Sequence, residues 1–284
     1  MLIEGFEYRD VRVADDVTLH TAIAGSGPAL VLLHGFPQTH LMWRHVAPAL
    51  AATHTVICPD LRGYGASSKP RDGYAKRDMA RDIVELAAAL GHERFALAGH
   101  DRGAHVAFRA GLDHPDRITR LTILDILPTP EMWEILHGES AAVAFHLYLM
   151  AQPAGLPEQL IAGAPDAFFG HFLDAWGAAP FEPEVRAAYL DACRGAIPSI
   201  VADYRASATI DLDHDRADRA AGHVLRMPVA VVQQDWGAVL GYDGEALWRA
   251  WAPQLTYRTT RSGHFMAESD PELITQVLLA PGRK

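Results

Sequence analysis

The chain has 284 residues, of which 49% are hydrophobic and 21% are charged. A chain of this size can bury a large core, and it fits one domain with a sizeable insertion better than two independent domains. The formal charge of −10 and the lack of a basic run argue against nucleic acid or an anionic membrane as a partner. Because the sequence shows neither a leader-like start nor an apolar run of bilayer length, we expect a cytoplasmic protein.

The cysteine and histidine patterns argue against a disulfide framework and against a metal site. Only Cys58 and Cys193 occur, and Cys58 ends an apolar run that is typical of a buried thiol. The 15 histidines include no zinc-type pair with a nearby carboxylate. We therefore expect no metal ion in this protein.

Strand-like and helix-like segments alternate along most of the chain. Residues 8–13 and 18–23 predict an antiparallel pair, residues 76–90 the clearest amphipathic helix, and residues 271–279 the last helix. Six further runs are typical of buried parallel strands: residues 29–33, 55–58, 95–98, 121–124, 229–232 and 255–259. The alternation predicts an α/β fold with a mostly parallel eight-stranded sheet and helices on both faces.

Residues 128–226 contain no strand pattern and are helical, aromatic and interrupted by proline and glycine. Because strands resume at residue 229, this stretch is an insertion between two strands of the sheet. A helical insertion at that place is typical of a lid. We therefore predict a core domain of residues 1–127 and 227–284, with a helical cap of residues 128–226 inserted before the last two strands.

The most informative motif is Gly99-His100-Asp101-Arg102-Gly103, which lies between a predicted strand and a predicted helix. Small residues at Gly99 and Gly103 let the helix pack tightly on the strand and force the residue between them into a strained, exposed conformation. Such an elbow presents its side chain beside the first free N–H groups of the helix. A serine is the usual residue there, whereas this chain has an aspartate. Asp101 is therefore either a simple helix cap or a nucleophile.

Two further motifs predict the rest of a catalytic site. The loop His34-Gly35-Phe36-Pro37 follows a predicted strand and can aim the Phe36 N–H at a developing oxyanion, paired with the N–H of Arg102. His264 follows the last predicted strand, where this architecture delivers a general base. Either Asp125 or Asp235 could orient His264, since each directly follows a predicted strand.

Several short motifs spread over nearly the whole chain are similar to those of one family. They are His34-Gly35-Phe36-Pro37-Gln38, Asp60-Leu61-Arg62-Gly63-Tyr64-Gly65, Gly99-His100-Asp101-Arg102-Gly103-Ala104, Leu124-Asp125-Ile126-Leu127-Pro128-Thr129, Gln152-Pro153, Asp203-Tyr204-Arg205-Ala206 and Ser262-Gly263-His264-Phe265. The elbow together with the Leu-Asp-Ile-Leu-Pro-Thr motif is specific, whereas His-Gly-Phe-Pro also occurs in epoxide hydrolases. On these motifs the chain resembles an α/β-hydrolase of the fluoroacetate (haloacetate) dehalogenase group, a relative of the epoxide hydrolases.

The resemblance implies an α/β-hydrolase fold in which Asp101 is the nucleophile, His264 the base and Asp125 the orienting acid. It also implies that Arg102 binds a substrate carboxylate, as expected for an enzyme that dehalogenates a small 2-haloacid. In haloalkane dehalogenases and most epoxide hydrolases a tryptophan follows the nucleophile, so Arg102 counts against both. An aspartate that attacks an sp3 carbon leaves an ester that water can hydrolyse, and no cofactor is required. Relatives in this group are often dimers, which implies a homodimer.

Two positions depart from the pattern of that group. His105 stands where these enzymes carry a second arginine, and His146-Leu147 stands where they carry a His-Trp pair that holds the departing halide together with Tyr204. A missing donor to a forming anion costs about 1.5 to 3 kcal/mol, so we expect weak or no defluorination and a preference for chloro- or bromo-acids. His105 would bind a carboxylate only when protonated, which predicts weaker binding above about pH 6.5. Leu147 makes the pocket larger and more apolar, which predicts a substrate larger than haloacetate.

Two other functions stay open. An epoxide hydrolase needs the same nucleophile and base, but its lid must protonate an alkoxide, usually with two tyrosines. Tyr204 is one candidate, and Tyr148 or Tyr189 could supply the second. A ligand receptor or a non-hydrolytic enzyme on the same fold would form no covalent adduct, and the complete catalytic set argues against it. Trp236, in a loop after a strand, could replace the missing indole donor.

Overall fold

Eight strands form the sheet in the computed structural model, which describes residues 2–280. They are β1 (Glu7–Ala14), β2 (Val17–Ala24), β3 (Ala29–Leu33), β4 (Thr55–Pro59), β5 (Phe95–His100), β6 (Ile118–Leu124), β7 (Val229–Gln234) and β8 (Leu255–Thr260). Their order across the sheet is β1-β2-β4-β3-β5-β6-β7-β8. Strand β2 runs antiparallel to β1 and β4, and the other neighbouring pairs are parallel. The predicted eight-stranded, mostly parallel sheet is confirmed.

The helices divide into those that flank the sheet and those that follow β6. The first group contains α1 (Ala47–Leu50), α2 (Lys76–Ala89), α3 (Arg102–Asp113), α11 (Trp236–Leu240), α12 (Gly244–Arg249), α13 (Met266–Ser269) and α14 (Pro271–Leu279). The second group lies between β6 and β7 and contains α4 (Thr129–Ile135), α5 (Phe145–Met150), α6 (Leu156–Gly163), α7 (Pro165–Trp176), α8 (Pro183–Arg194), α9 (Ile197–Ser207) and α10 (Ile210–Ala220). In this second group no strand interrupts the helices within the described residues.

Hydrophobic burial explains why the central strands form where the sequence predicts them. Every residue of β3 is buried, as expected for a strand covered on both faces, and its sequence Ala-Leu-Val-Leu-Leu is apolar throughout. Cys58, in the neighbouring β4, is buried as predicted. On α2 the buried residues Met79, Ile83 and Leu86 recur at helical spacing and face the core.

The helices between β6 and β7 pack on one another and on the sheet domain. Buried aromatic and aliphatic side chains from α7 and α9, such as Phe169, Phe172 and Ile200, belong to the same hydrophobic cluster as those of β3 and α2. A buried ion-pair cluster joins α10 to α3, where Arg109 Nη1 lies 3.1 Å from Asp215 Oδ1 and 2.6 Å from Asp218 Oδ2. The inserted helices are thus attached to the rest of the molecule by apolar packing and by buried charges.

The parallel strands β3, β5, β6, β7 and β8 all end at the same edge of the sheet. The loops that follow them therefore meet there, beneath the inserted helices. Among the helices of residues 2–280, none is both long and apolar enough to cross a membrane.

Candidate active site

Asp101 occupies a strained elbow between β5 and α3. Its backbone has φ 47° and ψ −118°, a region that residues with a side chain rarely adopt. A Cβ atom at Gly99 would lie 2.3 Å from the Gly103 carbonyl oxygen, and one at Gly103 would lie 2.3 Å from the His34 carbonyl oxygen. Both positions therefore need glycine, which confirms the close packing of helix on strand expected from the sequence.

The two carboxylate oxygens of Asp101 have different surroundings. The Phe36 N–H donates a hydrogen bond of 2.7 Å to Oδ1, whereas Oδ2 lies 3.8 Å from Nε2 of His264. Burial alone would raise the pKa of Asp101, but the charges of His264, His100 and Arg102 and the Phe36 N–H together hold it below its ordinary value. Asp101 is therefore ionised at neutral pH, with Oδ1 held by the backbone and Oδ2 directed towards the histidine.

Asp125 and His264 form a second hydrogen-bonded pair beside Asp101. His264 Nδ1 lies 2.6 Å from Asp125 Oδ2, and the backbone and side-chain N–H groups of Gln234 each donate a 2.7 Å hydrogen bond to the Asp125 carboxylate. Asp235, the alternative acid, is exposed. Burial would lower the pKa of His264, but the hydrogen bond and charge of Asp125, together with the charge of Asp101, raise it above its ordinary value.

The guanidinium of Arg102, the residue that follows Asp101, forms an ion pair with the carboxylate of Asp203 on α9. Its Nε and Nη2 each donate a 2.9 Å hydrogen bond to Asp203, whose carboxylate also contacts the Lys76 ammonium and accepts a 2.6 Å hydrogen bond from Tyr64. All of these side chains are buried. Burial would raise the pKa of Asp203, but Arg102 and Lys76 hold it far below its usual range. The third nitrogen of the guanidinium, Nη1, donates only a long hydrogen bond of 3.5 Å to the Ser207 hydroxyl.

Two polar side chains from the inserted helices face the same space. The hydroxyl of Tyr204 and Nδ1 of His146 are buried and have no hydrogen-bond partner within residues 2–280. The His146 ring stacks on Phe36 with centroids 6.0 Å apart, and the Tyr204 ring lies 5.3 Å from Phe36. Both side chains therefore pack against Phe36, and each has a polar atom available for a hydrogen bond to a ligand.

These residues surround one cavity of about 130 Å³. That volume is about ten times the least that holds one ordered water. Its lining consists of Asp101, Arg102, His105, Asp125, Ile126, Leu127, Met132, Leu136, Val143, Ala144, His146, Leu147, Trp176, Tyr204, Gln233, Trp236, Leu240, Tyr242 and His264. Among residues 2–280, no group of three or more His, Cys, Asp or Glu side chains is arranged to hold a metal ion.

Comparison with known proteins shows which family this chain belongs to. A family model described as the α/β hydrolase fold matches residues 28–146. A fluoroacetate dehalogenase from Burkholderia sp is 41% identical to this chain over 288 aligned positions, which cover 98% of this chain and 94% of that protein. The chain belongs to the α/β-hydrolase family. It is a hydrolase, and the fold expected from the motifs is confirmed.

Further relatives of this α/β-hydrolase include epoxide hydrolases. The soluble epoxide hydrolase of Corynebacterium sp. (strain C12) is 52% identical over 110 residues, which cover 39% of this chain and 38% of that protein. Among solved structures, the crystal structure of ALR0039 from Nostoc sp PCC 7120 superposes on this chain with a TM-score of 0.92. The two sequences are 40% identical, and the superposition covers 98% of each chain.

His105 lines the cavity of this hydrolase, but it is not the pH-dependent carboxylate ligand expected from the sequence. Burial, together with the positive charges of Arg102 and Lys76, lowers the pKa of His105 to about 3. The ring is therefore neutral at pH 6.5, and the predicted weakening of a His105 clamp above that pH is wrong.

Neither of the two candidates for a second tyrosine has its hydroxyl free for that role. Tyr148 donates its hydroxyl to the Leu136 carbonyl oxygen at 2.7 Å, and Tyr189 donates to Glu268 at 2.5 Å. In the described part of the chain, neither is among the residues that line the cavity. Trp176 lines it instead, with its ring 5.0 Å from that of His264.

The structure brings Trp236 to the cavity wall, as its suggested role requires, and it buries Leu147 there as well. The sequence did not predict the ion pair of Asp203 with Arg102 or the hydrogen bonds of Gln234 to Asp125. Asp203 lies in one of the recognised motifs, next to Tyr204, but its pairing with Arg102 depends on how α9 docks. Gln234 carries no sequence signal because its contact with Asp125 follows from the position of β7 beside β6.

Proposed function

We propose that this hydrolase cleaves the carbon–halogen bond of a small 2-haloacid through an ester formed on Asp101. The observation that carries the proposal is an ionised aspartate in the elbow, with Arg102 beside it and His264 3.8 Å from its free oxygen. A carboxylate is suited to attack at an sp3 carbon because the resulting ester can be hydrolysed. The match to a fluoroacetate dehalogenase over 98% of the chain supports the same reaction.

In the first step, Oδ2 of Asp101 attacks the carbon that bears the halogen, in line with the carbon–halogen bond. A carbon–oxygen bond forms as the carbon–halogen bond breaks, and the halide leaves with the bonding electron pair. The Tyr204 hydroxyl and His146, both without protein partners in the described chain, can donate hydrogen bonds to that halide. Nη1 of Arg102 can bind the substrate carboxylate.

In the second step, Nε2 of His264 takes a proton from a water molecule, which attacks the ester carbonyl carbon of Asp101. Asp125, 2.6 Å from Nδ1, keeps the proton on that nitrogen and stabilises the imidazolium that forms. The negative charge develops on Oδ1, where the N–H groups of Phe36 and Arg102 would contribute about 3 kcal/mol per donor. Collapse of this intermediate releases a 2-hydroxy acid that carries Oδ2, and the water oxygen stays on Asp101.

The fate of oxygen tests this mechanism directly. In a single turnover in ¹⁸O-water with excess enzyme, bromoacetate should give unlabelled glycolate and label in the Asp101 peptide. The Asp101→Asn variant should release no bromide, whereas Asp235→Asn, the same change at an exposed position nearby, should be active. Label in glycolate alone would mean direct attack by water, and failure of all fluoro-, chloro- and bromo-acids would reject the proposal.

An epoxide hydrolase is the second candidate, and one observation favours it. The unpartnered Tyr204 hydroxyl and His146 could hold an epoxide oxygen as readily as a halide. Against this, Tyr148 and Tyr189 are bonded elsewhere, so neither of them supplies a second proton donor beside Tyr204. Diol formation from small terminal epoxides, without halide release from any haloacid, would make this second candidate the function. Inactivity on both substrate classes would favour a ligand receptor.

A further inference from the structure

We propose that the substrate carries an apolar tail, which lies in a channel running from Asp101 to the surface between α11 and the cap segment 136–143. The proposal rests on the proposed function for the reacting end of the substrate. It concerns the opposite end, and it names the substrate class as 2-haloacids with an unbranched alkyl chain.

The exposure of the lining residues shows where the cavity opens. Near the catalytic groups its wall is formed by the buried side chains of Leu127, Met132 and Leu147. Further along the wall, Leu136 and Leu240 are only half-buried.

Two side chains mark the mouth of the channel. Val143, on the cap side, lines the cavity and is 40% exposed. On the opposite side, Leu240 of α11 lines the cavity and is half-buried. Apolar side chains therefore line the route from the buried end to solvent, on both the cap and the core side.

The charged groups of the cavity lie together at the reacting end, and the polar side chains of Gln233 and Tyr242, which also line the cavity, are hydrogen-bonded to each other. Asp101, Arg102, His264 and Tyr204 contact or neighbour one another there. His146, with a pKa lowered to about 3, is neutral. A polar or charged tail would lose its hydrogen bonds to water along the apolar wall, whereas each methylene buried there should improve binding about fourfold.

A chain-length series tests the channel. We would measure kcat/KM for 2-bromo acids from 2-bromopropanoate to 2-bromooctanoate, in which the reacting carbon is secondary throughout, and expect it to rise about fourfold per methylene over the first four carbons added. Leu136→Gln and Leu240→Gln should reduce the ratio of kcat/KM for 2-bromohexanoate to that for 2-bromopropanoate by about tenfold. Leu160→Gln is the matched control, since Leu160 is 57% exposed on α6 and is not among the lining residues of the described chain.

The possible outcomes separate this inference from the proposed function. If 2-bromopropanoate is turned over and longer acids are no better, the channel is rejected while dehalogenation stands. If no acid releases bromide, dehalogenation is rejected, and calorimetry with acetate, butanoate, hexanoate and octanoate decides on the channel. Affinity that rises with chain length and falls in Leu240→Gln supports it, and affinity independent of length overturns it.

Discussion

On the core side of the cavity, Asp101, Asp125 and His264 are each held by a hydrogen bond of 2.7 Å or less. On the cap side, the Tyr204 hydroxyl and His146 Nδ1 have no such partner in the described chain, and Leu147 offers no donor. Groups fixed by the backbone and by one another can perform one reaction with one geometry. Unpartnered donors and apolar walls can accept different leaving groups and tails. We infer that the core side sets the reaction, and that the cap side together with the apolar wall of α11 sets the substrate.

The largest expected effect comes from removing the base on the core side. In His264→Gln the first step should proceed, because Asp101 attacks without help from a base, while hydrolysis of the ester stops. Turnover should fall by at least about 10³-fold. The measurement is bromide release together with the mass of the intact protein, which should show one equivalent of bromide and a stable adduct.

The matched control for this variant is His45→Gln, which changes an exposed histidine outside the cavity, should turn over like the wild type and should accumulate no stable adduct. Multiple turnovers in His264→Gln would show that another group activates the water, and the core side would then not set the reaction alone.

The next largest effect is expected for Asp125→Asn. Losing the carboxylate that fixes the His264 tautomer should lower kcat by about 10² to 10⁴-fold. The hydrogen bond and charge of Asp125 raise the pKa of His264 in the folded protein. Since His264 works as a base only when neutral, wild-type activity should fall as pH drops through that raised pKa, above 6.5. In the variant, the fall of activity on the acidic side of the pH profile should move to lower pH. If it stays in place, a group other than His264 causes the fall.

The contrast between the two sides also explains what the sequence could predict. The elbow, the oxyanion loop and His264 follow directly from strand ends and glycine positions, because parallel strands bring their carboxyl ends to one edge. The strand ends alone could not separate Asp125 from Asp235, since both follow a strand. The family resemblance implied Asp125, and the structure places its carboxylate 2.6 Å from Nδ1 of His264. The protonation of His105 needed the structure, because burial beside Arg102 and Lys76 depends on three-dimensional packing.

The direction of the tyrosine side chains in the cap also could not be predicted from the sequence. Tyr148, Tyr189 and Tyr204 all lie in helices, and their hydroxyls point to three different places. The docking of one helix on another decides which of them faces the cavity, and that docking has no short motif. The pairing of Arg102 with Asp203 could not be predicted for the same reason.

A third prediction tests how the cap is held over the core. In Asp203→Asn, the buried Arg102 and Lys76 would lose their shared counter-charge, so the free energy of unfolding should fall by about 3 to 5 kcal/mol. Urea denaturation followed by circular dichroism measures it. Asp174→Asn is the control, because Asp174 forms a similar bidentate pair with Arg186 but is 63% exposed, and its loss should cost less than about 1 kcal/mol. Equal losses in both variants would mean that the buried pair does not hold the cap.

The smallest effect concerns the leaving group, which the cap side should control. In Leu147→Trp an indole N–H is added at the cavity wall, and fluoride, the most basic halide, gains most from an added donor. We expect the ratio of kcat/KM for fluoroacetate to that for chloroacetate to rise about tenfold, a gain of about 1.4 kcal/mol. Leu147→Phe adds similar bulk without a donor and should leave the ratio near its wild-type value. A similar rise in both variants would mean that filling the space beside Asp101, and not hydrogen bonding to the halide, is what favours fluoride.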